Sequence, residues 1–133
     1  MVETMRNNQI VILQKRCEQD KEIGNMKMLL HDTRLMLELV DEDDDLARCY
    51  RNFGYYFTKK KWYEEAVACF ELSLLHADDV GAKKAELTID YIHEIANREI
   101  VPLTFEELFK LGVKYGFPVL LSDFARHFED LAV

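Results

Sequence analysis

Residues with the means to do chemistry are scattered through this chain, apart from one stripe. The four histidines, His31, His76, His93 and His127, share no metal or catalytic spacing. His93-Glu94 opens like the zinc-protease pattern H-E-x-x-H, but Asn97 stands where the second histidine is needed, so that helix face offers a single ligand. Cys17, Cys49 and Cys69 are odd in number and lack C-x-x-C spacing, and two of them fall within an apolar pattern. That predicts buried free thiols in a reducing cytosol, not nucleophiles or disulfides. The run Asp41-Glu42-Asp43-Asp44-Asp45 lacks the alternating ligands and central glycine of a calcium loop. It reads as N-terminal charge for a helix starting near Leu46, with Asp43, Asp44 or Asp45 as its cap. No phosphate loop, dinucleotide-binding turn or nucleophile elbow occurs. The expectation is a chain without catalysis, metal or cofactor. The exception is a polar stripe, Arg48, Arg51, Tyr55 and Lys59, at offsets zero, three, seven and eleven on one helix. Paired guanidiniums grip a carboxylate and a phenol packs against a side chain, so the chemistry expected is recognition of an acidic segment or a C-terminal carboxylate.

The elements that must position this stripe are helices. A chain of 133 residues, nearly half of them hydrophobic and with five glycines and two prolines, has the balance of a single folded helical domain. Its formal charge of −8 opposes nonspecific binding to nucleic acid or an anionic membrane. The first twenty residues hold too short an apolar run for a secretory signal or a membrane span, so a soluble cytoplasmic protein is expected. Residues 3–20 place Ile10, Leu13 and Cys17 on one helix face, and Gly24-Asn25 breaks that helix. A second helix, Met26 to Val40, carries Leu29, Leu30, Thr33, Met36, Leu37 and Val40 at helical spacing. Further on, Asp78-Asp79 caps a helix from Val80 to Asn97, and Pro102 disfavours helix at Val101. Thr104 and Glu107 form a capping box for a helix from Phe105 to Tyr115, which shows Phe105, Leu108, Phe109 and Leu111 to the core. Gly116-Phe117-Pro118 ends it, and a last helix from Val119 to Leu131 carries Leu120, Leu121, Phe124, Phe128 and Leu131.

Between these flanks, residues 47–79 organise the chain as two short helices and a basic turn. Tyr50, Phe53, Gly54 and Phe57 fall at offsets zero, three, four and seven, and Ala66, Phe70 and Ser73 at zero, four and seven. Small residues thus face large ones where two rods cross. This spacing resembles the tetratricopeptide repeat, a helix-turn-helix unit of about 34 residues. With Ala47 as first position, Tyr50, Phe53, Gly54, Phe57, Tyr63, Ala66, Phe70 and Ser73 all fit the pattern. Lys61-Trp62 replaces the family's Gly-Asp in the turn, and Asp78 replaces its Pro after the second helix. Carried backward one period, Asp32 takes the place of Ala66; carried forward, Leu87, Thr88 and Tyr91 suit the apolar, small and aromatic positions.

The resemblance implies an all-α domain over 1–133: helical hairpins stacked as a short right-handed solenoid of about six helices. Its parts would be N-terminal helices over 1–45, the clear repeat over 46–80, and over 81–133 a further helix plus C-terminal helices capping the open hydrophobic end. It implies a concave groove for a peptide or protein segment, lined by Arg48, Arg51, Asn52, Tyr55, Thr58 and Lys59, with Ala85, Ile89 and Ile92 as the next wall. The function so implied is a noncatalytic interaction module or adaptor. A peptide-responsive regulator and a homodimer whose groove is self-occupied are the alternatives. Against the groove stands the reading that these basic residues are paired with acidic runs of the same molecule.

Overall fold

Local capping chemistry places the helices. The computed structural model describes residues 2–120, 122 and 123, and these form α1 (Val2–Ile23), α2 (Met26–Leu37), α3 (Asp43–Lys59), α4 (Tyr63–Leu74), α5 (Asp79–Ala96) and α6 (Phe105–Tyr115). No strand occurs among the described residues, so this part of the chain is all-helical. Gly24, at φ +74°, breaks α1 from α2, and the Asn25 side chain accepts the Met28 N–H at 3.1 Å. Asp78 accepts the Gly81 N–H at 2.7 Å to start α5. At α6 the capping box closes: Thr104 Oγ1 accepts the Glu107 N–H, and the Glu107 carboxylate accepts the Thr104 N–H. One cap differs from expectation. α3 begins at Asp43, earlier than Leu46, with Glu42 as N-cap and no side-chain cap bond. Asp43, Asp44 and Asp45 therefore lie inside the first turn, where they act on the helix dipole and not as caps.

Each helix from α1 to α5 packs on the next, and the tightest pair is α3 with α4. Gly54 is the reason: a Cβ there would lie 2.6 to 2.9 Å from three ring carbons of Phe70. Ala66 and Ser73 are fully buried at the same crossing. The three-residue turn needs a left-handed residue, and Lys61 supplies it at φ +65°, in the position the repeat pattern gives to glycine. Trp62 then stacks on Phe57, ring centroids 6.0 Å apart. Ala85 and Ile92 are fully buried in the α3–α4 core and Ile89 packs against it, so the expected apolar groove wall is instead helix-packing surface.

Among the described residues, the C-terminal elements also depart from the expected end cap. α6 packs on α4, not on the outer face of α5, and the chain after it turns back over α3. Tyr115 meets Phe57 edge-on at 4.9 Å, Phe117 lies 4.9 Å from Phe53, and Tyr50 Oη donates to the Pro118 carbonyl at 2.6 Å. Arg34 of α2 donates to the Tyr115 carbonyl at 2.6 Å, tying this segment across to the N-terminal hairpin. The physical reason is that α4 covers only one side of the aromatic stripe on α3, and large aromatics stabilise whatever covers the rest. Asn97, at φ +53°, ends α5 and frees the chain to reverse, and Gly112 lets the Phe117 carbonyl approach to where a Cβ would be only 2.6 Å away. The buried stripe of α6 is thus Leu108, Gly112 and Tyr115, which leaves the expected core residue Phe109 48% exposed. The last helix expected from Val119 to Leu131 falls mostly outside the described residues.

Two substitutions in the hairpin should move stability in opposite directions. Gly54→Ala adds helix propensity but overpacks the Phe70 ring, for a net loss of roughly 1–2 kcal/mol. Lys61→Gly relieves the left-handed strain for a gain of up to about 1 kcal/mol. Chemical denaturation midpoints of the two variants against the parent would read both shifts.

Candidate functional site

α3 is enclosed by α2, α4 and α5, so only a narrow strip of it meets solvent. Arg48, Arg51, Tyr55 and Thr58 are half-buried along that strip and Lys59 is exposed at its end. Asn52, expected beside them, is 2% exposed and lies beneath the strip. Neither end of its amide has a hydrogen-bond partner among the described residues, and the Arg48 Nε is likewise buried without one. The Thr58 hydroxyl donates to the Gly54 carbonyl at 2.7 Å, which commits it to its own helix. The structure therefore brings together Arg48, Arg51, Tyr55 and Lys59 and sets Asn52 and the Thr58 hydroxyl apart.

Neighbouring helices complete the surface. The Tyr55 ring sits between two ammonium groups, Lys59 of its own helix at 5.3 Å and Lys21 of α1 at 5.6 Å. Lys21 was not anticipated as part of this site; only packing brings α1 beside Tyr55. Arg51 reaches over Gly81 at the start of α5, where a Cβ would lie 2.6 Å from its Nη1. Burial, and then repulsion from Arg48, pushes the Arg51 guanidinium down from its ordinary value, against the opposing pull of Asp78 and Asp44. Two arginines that disfavour each other's charge are set to gain from an added anion.

The acidic run takes other partners. Asp41 pairs with Arg6 at 3.0 Å, Asp45 accepts from Gln14 at 3.2 Å, and Asp43 lies 3.2 Å from His76 Nδ1. Among the described residues no ion pair within 4.0 Å involves Arg48, Arg51 or Lys59. Asp41, Asp43 and Asp45 are thus turned to other partners, and Asp44 is the member of the run whose charge acts on Arg51.

The structure also assembles groups whose spacing in sequence carried no signal. His76 stacks on Tyr50 and stands 3.2 Å from Asp43 and 3.2 Å from the buried Asp123, one ring nitrogen to each. Asp20 and Asp32, both buried, face each other between α1 and α2, with Arg16 2.8 Å from Asp32. Burial first, then the hydrogen bond and charge of Asp32, raise the Asp20 carboxyl from 3.8 to about 6. The three thiols are free and buried, and burial pushes Cys49 up to about 12 and raises Cys17 and Cys69, so none is a ready thiolate. Among the described residues no group of three or more His, Cys, Asp or Glu side chains is placed to hold a metal ion, and no helix is long and apolar enough to cross a membrane. No protein-family model matches the chain, and no solved structure matches it.

The carboxyl pair sets a pH dependence. Because the folded state holds the Asp20 proton more tightly than the unfolded chain, its contribution to stability is full below about 3.8 and is lost as pH rises through about 6. Asp20→Asn, which keeps a neutral donor in place, should raise the thermal midpoint at pH 7.5 and change it little at pH 4. Parallel midpoint curves for the two proteins across that range would contradict the assignment.

Proposed function

We propose that this chain is a tetratricopeptide-like, noncatalytic interaction module whose α3 strip receives an acidic peptide segment or a C-terminal carboxylate. One observation carries the reading. On a molecule of net charge −8, Arg48, Arg51 and Lys59 gather on one strip, with Lys21, paired to Glu18, beside them, and Asp41, Asp43 and Asp45 of the nearby acidic run turn to other residues. Tyr55 supplies the flat apolar surface against which a bound side chain packs. The Asn52 amide, on the same helix, is buried and has no hydrogen-bond partner among the described residues. The repeat assignment draws support from the Gly54–Phe70 contact and from Asp32, which is as buried as Ala66 one 34-residue period later. Three free thiols suit a reducing cytoplasm, and the overall negative charge disfavours nucleic acid and anionic membranes as partners.

Fluorescence anisotropy with three labelled peptides tests this reading: a Glu-rich peptide ending in a free carboxylate, its C-terminal amide, and a Lys-rich control. The acidic peptides should bind, more weakly as salt rises, and the Lys-rich one should not. Arg48→Glu with Arg51→Glu should weaken acidic binding at least tenfold, and Lys59→Glu, at an exposed position, should weaken it severalfold without altering the helical circular-dichroism signal. Equal binding of acidic and basic peptides, or indifference to these reversals, would remove the site.

A further inference from the structure

The outer face of α5 carries an apolar stripe that no described element covers. Val80, Leu87, Tyr91 and Ile95 are 64%, 60%, 56% and 39% exposed and recur at helical spacing. The stripe runs for roughly 22 Å at 1.5 Å per residue. It is distinct from the strip on α3, and the packed face of α5, with Gly81, Ala85 and Ile92, lies about a quarter-turn away round the helix. Leu87, Thr88 and Tyr91 stand 34 residues after Phe53, Gly54 and Phe57, the face of α3 on which α4 lies. What α3 offers to α4, α5 therefore offers to a helix it has not received from the described part of its own chain, since α6 packs on α4.

The charges beside the stripe identify that helix. One flank carries Asp79 and Glu86 at its outer edge and, nearer the stripe, three residues, Lys83, Asp90 and Glu94, basic toward the N-terminus and acidic toward the C-terminus. All three are exposed, and none makes an ion pair within 4.0 Å among the described residues. Glu86, Asp90 and Glu94 follow one another at four-residue spacing, where like charges repel within a helix, and Glu94 sits in the last turn, where the helix dipole opposes it. A two-fold axis that runs two helices antiparallel keeps the same flank on the same side, so each flank meets its own copy in reverse order. With the axis midway between Val80 and Ile95, Val80 meets the second copy's Ile95, and Lys83 falls between the second copy's Asp90 and Glu94. Lys84 then faces the second copy's Tyr91 ring.

We propose that the chain self-associates through α5, as an antiparallel pair of these helices related by a two-fold axis. A contact made by one helix from each copy is a small interface, under about 1,200 Å² in total, so association is concentration-dependent and is read across a hundredfold dilution series. Sedimentation velocity of the full chain should show its mass doubling as concentration rises. Leu87→Glu, at an exposed position, should keep it monomeric throughout with an unchanged circular-dichroism spectrum and thermal midpoint. Lys83→Glu alone, and Asp90→Lys with Glu94→Lys, should each weaken association at least tenfold, because each places like charges on both flanks. An equimolar mixture of those two variants should associate as the parent does, because every flank pair is then opposite in sign. A monomer at every concentration, a dimer indifferent to Leu87→Glu, or a mixture that stays dissociated would each overturn the proposal. Peptide binding at α3 is left standing by all three results, since none of the altered residues lies on that strip.

Discussion

Where α3 crosses α4, the backbone at Gly54 lies so close to the Phe70 ring that a single methyl group would displace it. Much of the rest depends on that approach. With no side chain to hold the rods apart, Ala66 and Ser73 sink out of solvent, and Tyr50, Phe53 and Phe57 become the centre of the core. An aromatic row of this size has more surface than one neighbouring helix can cover, and burying it is worth more than most surface contacts. Tyr115 and Phe117 fill the remainder, which is why the described segment just after α6 runs back along α3.

The same enclosure shapes the polar chemistry. A helix packed by three others has little free circumference, and what remains of α3 is the strip carrying Arg48, Arg51, Tyr55 and Lys59. Of the acidic run just upstream, Asp41, Asp45 and Asp43 turn to Arg6, Gln14 and His76, while the charge of Asp44 acts on Arg51. Arg51 is half-buried beside Arg48, and burial, then that repulsion, pushes its guanidinium down from its ordinary value. The acids between α1 and α2 make the converse arrangement: burial, then the hydrogen bond and charge of Asp32, favour a proton on Asp20.

The charged strip on α3 and the apolar row on α5 lie on different helices. The strip on α3 is narrow, charged and flanked by packed helices, a shape that suits an extended segment. The outer face of α5 is a long apolar row with ordered charges beside it, a shape that suits another helix.

The chain's residues by themselves determined the helix ends that carry local caps and breaks: Asn25, Asp78, the Thr104–Glu107 box, Gly24 and Gly116 each act within a few residues of themselves, whereas the start of α3, without a side-chain cap, and the end of α2 fell three residues from expectation. They also determined the close crossing of α3 and α4, since small and aromatic residues at matched offsets leave one way to nest two connected rods. Tertiary structure alone decided which side of each rod stays wet. Asn52 and Phe109 were misplaced for that reason: helical spacing ranks faces but does not say how many neighbours a helix will have. Likewise Lys21 beside Tyr55, Arg34 on the Tyr115 carbonyl, and Asp123 against His76 join residues far apart in the chain. Only the burial of cores shared between helices, a property of the packed chain and not of any segment, brings them together.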